Sequence, residues 1–247
     1  MKDRAADYDA WYRHGLGAVA HEIELAEIAK AALPVTGERA LDAGCGTGIY
    51  AAWLARFGLV VTGIDCDQEL LAAARRKTPG AHFVDGEVTR LPFADGSFDL
   101  VLAVTLFCFL SPPARQVAAR ELVRVTRPGG RVVVGELARF SLWAASRRVR
   151  GWLGSPSWRT ARFTTGGELE RLLREAGATR VSSRHALYMP PVDVPALLRR
   201  AQAIERFGRR LGPAGAAFVV CRADVGGGGQ ARRAFERFPD ARGPAGE

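Results

Sequence analysis

Several residue types that mark specialised proteins are scarce or scattered in this 247-residue sequence. The four cysteines form no CxxC pair, so we expect reduced thiols and neither a zinc site nor a disulfide framework. No run of about 18 apolar residues suggests a transmembrane helix. The first residues, MKDRAADYDAWYR, contain no apolar core of a secretory signal. These absences predict a cytoplasmic protein without a metal centre.

Lysine is also scarce, since only Lys2, Lys30 and Lys77 contribute to the 35 basic residues. The net charge of +9 would suit a nucleic-acid partner. However, the abundance of arginine together with alanine and glycine is typical of a coding bias. The arginines concentrate in two stretches, 139–162 and 199–210. We therefore do not expect nucleic acid to be the substrate.

Apolar runs bounded by turn residues alternate with helical patterns, which is typical of βαβ units and a parallel sheet. The hydrophobic content of 48% suits one domain with insertions. The predicted strands are Arg39–Ala43, Val60–Asp65, His82–Val84, Phe98–Val104, Arg131–Glu136, Thr179–Ser183 and Ala217–Cys221. The predicted helices between them are Ile49–Arg56, Gln68–Lys77, Pro113–Val125 and Thr165–Ala176. RPGG (127–130) is predicted to form a turn before the fifth strand.

The predicted domain organisation consists of a cap, a main domain with two insertions, and a tail. Residues 1–36 are predicted to form an N-terminal helical cap, and residues 37–225 the main domain. Insertions at 137–163 and 190–212 interrupt that domain. The Gly-rich polar stretch 226–247 is predicted to be a disordered tail.

A glycine-rich loop follows the first predicted strand in the sequence LDAGCGTGIY (residues 41–50). Alternating glycines allow the backbone to approach a ligand closely and to adopt positive φ angles. The dinucleotide fingerprint has its third glycine where this chain has Ile49, which disfavours a nicotinamide-dependent oxidoreductase. Asp65 ends the second strand, where a carboxylate can accept two hydrogen bonds from a ribose. The alternative role for Asp65 is a helix cap, although Asp67 is better placed for capping.

Four motifs in order, LDAGCGTG, GID, LPFADGSFD and RPGGRVVV, resemble class I S-adenosylmethionine-dependent methyltransferases, especially the small-molecule group that includes ubiquinone-biosynthesis enzymes. The resemblance covers about residues 8–223. It implies a doubly wound, Rossmann-like, seven-stranded and mostly parallel sheet with helices on both faces and an insertion after strand five. It also implies S-adenosyl-L-methionine as the cofactor and a small-molecule acceptor.

The resemblance implies the cofactor contacts, residue by residue. The glycine loop would hold the methionine part and Asp65 the ribose, with Cys66 beside the adenine. Glu87 replaces the family's usual aspartate near the adenine, and Asp85 is a competing acid. Val104 and Thr105 would line the methionine end, and Tyr8 or Tyr12 could fold over it or pack on the sheet instead. The full implied set is Tyr8, Tyr12, Asp42, Gly44, Cys45, Gly46, Gly48, Asp65, Cys66, Glu87, Val88, Val104 and Thr105.

The acceptor side is less defined by the sequence, and no catalytic residue is assigned. His14 and His185 are candidates for a general base, with ordinary exposed histidines as the alternative. An apolar or aromatic acceptor fits the aromatic residues near strand four, in the first insertion and after strand six. These candidate acceptor contacts are Phe107, Phe109, Trp143, Trp152 and Tyr188.

Three readings of function stay open. The first is methyl transfer to a small apolar or aromatic molecule. The second is a non-catalytic cofactor sensor or partner subunit with the same fold. The third is a lipid methyltransferase at a membrane surface, because SLWAASRRVRGWL (141–153) combines arginines with large apolar residues. A basic lid helix packed on the domain is the alternative that we favour for that segment. The oligomeric state is not predicted.

Overall fold

The computed structural model describes residues 4–226 and contains one seven-stranded sheet. Its order is β3-β2-β1-β4-β5-β7-β6, and only β7 runs antiparallel to its neighbours. This confirms the predicted doubly wound α/β fold. The strands, in chain order from β1 to β7, are Arg39–Ala43, Val60–Asp65, His82–Asp85, Phe98–Val104, Thr126–Leu137, Val181–Ala186 and Phe218–Asp224.

Ten α-helices and two 3₁₀ turns, Phe107–Phe109 and Arg209–Leu211, connect the strands within residues 4–226. None of these helices is long and apolar enough to cross a membrane. The Asp67 side chain caps one helix by accepting hydrogen bonds from the backbone N–H groups of Glu69 and Leu70. The helices, α1 to α10, are Arg4–Trp11, Gly15–Ala32, Ile49–Arg56, Gln68–Lys77, Pro112–Val125, Leu142–Trp152, Pro156–Arg159, Gly166–Glu175, Pro195–Leu198 and Ala201–Gly208.

Both faces of the sheet are covered, as the apolar sequence of β4 requires. Leu100 and Leu102 belong to the hydrophobic cluster shared with α2, α3 and α4. Val101 and Ala103 belong to the second cluster, shared with α5 and α8. The chain reverses its winding between β1 and β4, so the carboxyl ends of these strands border the crevice where such sheets bind ligands.

Three predicted strands differ from the observed ones by two residues or more at one end, and β7 is one of them, because it runs over 218–224 instead of 217–221. RPGG does not form a turn before β5 but lies within that strand, beside a register shift between Phe98 and Leu100. Gly129 has a φ of +83°, and a Cβ on Gly130 would lie 2.8 Å from the Asp99 carbonyl oxygen, so both positions favour glycine. Strand β6 runs over 181–186 instead of 179–183, because β7 sets its register.

The predicted cap and insertions differ in how they pack. Helix α2 packs directly on β5, β7 and β6, so it covers the sheet as well as preceding it. The first insertion contains α6 and α7, and the second contains α9, α10 and a 3₁₀ turn. Except for Gly226, the predicted tail lies outside the described residues.

Candidate functional site

The glycine loop connects β1 to α3 at the crevice in the sheet. Gly44, Gly46 and Gly48 all have positive φ angles, of 72°, 51° and 75°. A Cβ on Gly44 would lie 2.8 Å from Leu106, and one on Gly48 would lie 2.9 Å from Ala74. Gly46 is different, because a Cβ there would approach only Leu70, at 4.0 Å. The open space above Gly46 is therefore where a ligand can touch the backbone.

Hydrogen bonds tie this loop to the end of β2. The N–H groups of Gly44 and Cys45 donate to the Ile64 carbonyl oxygen at 2.8 and 3.0 Å. The Gly46 N–H donates to Asp65 Oδ2 at 2.8 Å, and the Asp67 N–H donates to Oδ1 at 3.0 Å. Asp65 is only half-buried, and each carboxylate oxygen can accept a further hydrogen bond. Asp65 can therefore hold the loop and still bind a ribose.

Asp42, in β1, is a buried acid beneath the loop. Its Oδ2 is buried and has no hydrogen-bond partner. Burial raises the pKa of Asp42 to about 7, and the nearby negative charge of Asp65 contributes to the increase. A backbone hydrogen bond from Ala51 opposes the increase, but a buried carboxylate oxygen without a partner is costly unless a cation or a donor reaches it. Asp42 therefore suits a ligand with a positive charge.

The other expected cofactor contacts lie at or after the carboxyl ends of β1 to β4. The Cys45 side chain is buried against Gly63 of β2, so only its backbone faces the loop. Asp85 lies beside Asp65 in the sheet register and accepts a hydrogen bond from Gln68. Glu87 is exposed and pairs with Thr89, so the choice between these two acids stays open. Cys66 is exposed, whereas Val88 and Val104 are buried.

Helix α1 lies over the loop. Asp9 Oδ1 accepts hydrogen bonds from Thr47 Oγ1 at 2.6 Å and from Lys77 Nζ at 2.9 Å. The hydroxyls of Tyr8 and Tyr12 are 2.8 Å apart. Tyr8 also faces Thr105, which has a φ of +50°, a strained conformation for a β-branched residue. This helix therefore connects the glycine loop with the carboxyl end of β4.

A group of polar side chains, which range from the buried Glu24 and Tyr50 to the partly exposed Tyr8, adjoins this position, and we call it the Glu24 cluster. It combines a carboxyl, a guanidinium and an imidazole with three phenols. Tyr50 faces both Glu24 and Asp42, so the cluster borders the glycine loop. Its members are Tyr8, Tyr12, His21, Glu24, Tyr50 and Arg147.

The charged members of the Glu24 cluster are not paired with each other. Among the described residues, Glu24 makes no hydrogen bond or ion pair, and burial raises its pKa to about 7. The positive charge of Arg147 opposes this increase. The Arg147 guanidinium lies over the rings of Trp143 and Trp158, at 5.0 and 5.1 Å. Its Nη1 is buried without a partner, and so is Nδ1 of His21. These orphaned groups are available to a bound polar molecule.

Sequence reasoning missed Glu24 and Arg147 as site residues. Glu24 had a detectable signal, because it falls with Ile23 and Ile28 on the buried face of α2. A charged residue on an apolar helical face is informative, since such residues are rarely fully buried. Glu136 was missed as well. It is fully buried, accepts a hydrogen bond from the Phe107 N–H at 2.6 Å, and has a pKa raised by burial to about 7.

The predicted acceptor residues do not come together. Phe107 is 1% exposed in the core, so the expectation that its ring lines a pocket is wrong. Trp152 is 86% exposed on the outside of the insertion, so it does not line the crevice either. Trp143 is buried and donates from Nε1 to the Met189 carbonyl oxygen. Tyr188 donates to the Gly212 carbonyl oxygen, and Phe109 remains half-exposed beside the insertion.

The two histidine candidates occupy different parts of the fold. His185 is on edge strand β6, with β5 and β7 between it and β4, so the structure does not support it as a base at the crevice. His14 is exposed at the N-terminal boundary of α2. All four cysteines are free thiols. Residues 4–226 contain no group of three or more potential metal-ligating side chains.

Comparisons with known proteins agree with this geometry. The methyltransferase domain family matches residues 41–134, which include the glycine loop, β2 to β4 and most of β1 and β5. An uncharacterized methyltransferase of Synechocystis sp. is 32% identical over 143 residues, covering 58% of this chain and 68% of that protein. A demethylmenaquinone methyltransferase of Beutenbergia cavernae is 48% identical over 117 residues, covering 47% of each chain.

Solved structures show the same similarity over most of the chain. A Thermotoga maritima structure described as an SAM-dependent methyltransferase, possible histamine N-methyltransferase, has a TM-score of 0.67 and 25% identity. The match covers 90% of this chain and 95% of that one. The matched part covers 62% of the length of one curated relative, which is 35% identical, and 47% of the length of the Beutenbergia enzyme. The glycine loop, the acid at the end of β2 and these similarities show that the chain belongs to the class I S-adenosylmethionine-dependent methyltransferases, with S-adenosylmethionine as its cofactor.

Proposed function

We propose that this protein transfers a methyl group from S-adenosylmethionine to a small aromatic acceptor that carries an acidic hydroxyl or acid group. The observation that carries the proposal is the Glu24 cluster, which places an unpaired carboxyl and an unpaired guanidinium beside the glycine loop. The name of the Beutenbergia relative, a demethylmenaquinone methyltransferase, is compatible with a ring-shaped acceptor.

The cofactor fits the residues around the loop. Asp42 offers a buried, unpaired oxygen to the ammonium group of the methionine part. The open backbone at Gly46 admits the same part, and Asp65 retains acceptor capacity for the ribose hydroxyls. When bound, S-adenosylmethionine supplies a methyl carbon on a positively charged sulfur, and the C–S bond pair stays on sulfur as the acceptor's lone pair forms the new bond.

The residues of the Glu24 cluster would bind and orient the acceptor. The aromatic rings provide flat apolar walls, and Arg147 would pair with an acidic oxygen. Glu24 has a pKa near neutral pH, so its carboxylate can take the proton that the acceptor gives up. Helix α1 lies over the loop and would keep water away from the reacting atoms. These roles require no further charged group in the protein.

A panel of phenols, enols and aromatic acids should identify the acceptor when release of S-adenosylhomocysteine is measured. We expect turnover with compounds that carry an acidic oxygen and none with their methyl ethers or esters. Calorimetry should show micromolar binding of S-adenosylhomocysteine, about −8 kcal/mol, and much weaker binding of NAD. Binding without turnover on any compound would favour the cofactor-sensor alternative instead.

A further inference from the structure

Helix α6 exposes an apolar stripe that nothing in residues 4–226 covers. Trp152 is 86% exposed, Leu153 82%, Leu142 66% and Val149 47%. Monomeric proteins rarely expose a contiguous group of such large apolar side chains without a partner. At 100° per residue, Leu142, Ala145, Val149, Trp152 and Leu153 fall within a sector of about 100° on one side of the helix.

The opposite side of α6 is fixed to the domain. Its buried residues are Trp143, Ala144 and Gly151. A Cβ on Gly151 would lie 2.9 Å from the Trp158 carbonyl oxygen, so the helix packs closely against α7. The outward direction of the apolar stripe is therefore set by packing on the other face.

Positive charge surrounds the stripe. Arg148 and Arg150 are exposed and lie on opposite sides of the apolar sector on the helical projection. The surrounding stretch, residues 137–167, contains six arginines and no aspartate or glutamate, although Arg139 pairs with Glu168 just beyond it and Arg147 lies on the inward side of the helix. An apolar face flanked by arginines, with a tryptophan near one end, is the arrangement of helices that lie in the interface of an anionic bilayer.

We propose that α6 is a docking surface for an anionic lipid membrane. The side chains of Leu142, Val149, Trp152 and Leu153 enter the boundary between headgroups and acyl chains. Arg148 and Arg150 remain at the level of the lipid phosphates. A second copy of this chain is a poorer occupant, because a symmetric contact would bring the two arginine-rich segments together without acidic partners. This surface does not depend on the chemistry at the glycine loop.

Vesicle flotation of the whole chain tests the proposal. The protein should bind vesicles that contain 30% phosphatidylglycerol in phosphatidylcholine, and binding should fall at least tenfold with pure phosphatidylcholine. The double variant W152S/L153S should lose at least tenfold in partitioning to the anionic vesicles. R148Q/R150Q should also weaken binding and reduce its dependence on salt.

The matched control is Val60→Ser, which removes a residue of similar exposure, 63%, at the start of β2 and away from α6. It should bind vesicles like the parent. All variants should keep the parent melting temperature and S-adenosylhomocysteine affinity, which separates this test from that of the proposed function. Equal binding by W152S/L153S and the parent would overturn the proposal. The absence of binding to anionic vesicles would also overturn it. A dimer or an RNA complex of the parent that W152S/L153S abolishes would overturn it as well.

Discussion

At the scale of residues, the site is distinguished by polar side chains that lack hydrogen-bond or ion-pair partners. Asp42 and Glu24 are buried carboxyls and Arg147 is half-buried with a buried Nη1, each has at least one atom or group unpaired, and all three adjoin the crevice or its cover. Buried polar atoms normally have partners, so such exceptions concentrate where a ligand binds. The pKa of each of the two carboxyls lies near neutral pH, which makes their behaviour testable by titration.

Asp42→Asn should weaken S-adenosylhomocysteine binding by about tenfold, because the charge opposite the ligand ammonium is lost. In the parent protein, affinity should increase from pH 5.5 to 7.5. The pKa of Asp42 is raised to about 7, so below that pH the carboxyl must lose its proton before it can pair with the cation, which weakens binding. Calorimetry at several pH values should show a flat profile in the variant. A variant with the parent's pH dependence would show that another group titrates.

Glu24→Gln should lower kcat by about 10² to 10³ if the carboxylate accepts the acceptor's proton. In the parent, kcat should rise with pH through about 7, since the base must be ionised. In the variant, kcat should no longer rise with pH, and the affinity for S-adenosylhomocysteine should equal that of the parent. Glu22→Gln, on the exposed side of α2, is the matched control. Normal kcat in Glu24→Gln would contradict the proposed role.

The sequence could predict the glycine loop because the signal is local: three glycines at alternate positions imply a backbone shape. The pairing of Asp65 with the loop and the Glu24 cluster could not be predicted in the same way. Glu24 and Arg147 are far apart in the chain and meet only because α2 and α6 pack on the same side of the sheet. Phe107 was misplaced for a related reason, since sequence position beside β4 does not say which way a ring points.

At the scale of elements, the Asp9 carboxylate of α1 connects this helix with the glycine loop and with α4. Asp9→Asn should weaken the contacts with Lys77 and Thr47 and allow α1 to leave the loop. We expect cofactor affinity to fall about threefold to fivefold, through faster dissociation measured by stopped flow. Glu175→Gln, which breaks an exposed pair with Arg171 on α8, should leave dissociation unchanged. An unchanged rate in Asp9→Asn would contradict the assigned role of α1.

Helix α6 should respond differently on its two faces. Trp143→Ala removes a buried ring that contacts Trp11, so it should cost about 3–5 kcal/mol of stability. Trp152→Ala should cost about 0.5 kcal/mol or less, because its ring is exposed. Thermal and urea unfolding measure both changes. Comparable losses in the two variants would mean that the outer face is also packed in solution.

The elements themselves were mostly predictable, and the exceptions have identifiable causes. β1, β2 and β4 have apolar runs, and their bounds were predicted as observed. β6 is a polar edge strand, VSSRHA, whose position depends on pairing with β7. RPGG was predicted to be a turn because Pro and Gly usually interrupt strands. In β5, positive φ at Gly129 and a register shift accommodate them.

For the whole molecule, buried carboxyls whose pKa values are raised make stability depend on pH. Burial raises the pKa of Asp42, Glu24 and Glu136 to about 7, so the folded chain binds more protons than the unfolded chain between about pH 4.5 and 7. Stability of the unliganded protein should therefore fall as pH rises through this range. His21 and His185, whose pKa values burial lowers, oppose the trend below about pH 6.5.

Melting temperature measured from pH 5 to 7.5 should decrease by on the order of 5 °C. Saturating S-adenosylhomocysteine should flatten the profile, because its cation stabilises the ionised form of Asp42. The double variant E24Q/E136Q is the control: its profile should be shallower than the parent's, because Asp42 and Glu205, whose pKa burial also raises, are retained. A melting temperature that rises over this range would show that the depressed histidines dominate.

The two-sided character of α6 also affects how the enzyme would meet its acceptor. One side of the helix carries the buried Trp143 and contributes Arg147 to the Glu24 cluster, and the other side carries the apolar stripe that includes Trp152. A helix is only about 10 Å across, so a compound dissolved in the bilayer would be that close to the site. Turnover should then follow the mole fraction of acceptor in the membrane and not its bulk concentration. Diluting the acceptor with inert lipid would slow the enzyme even when the total amount of acceptor is constant.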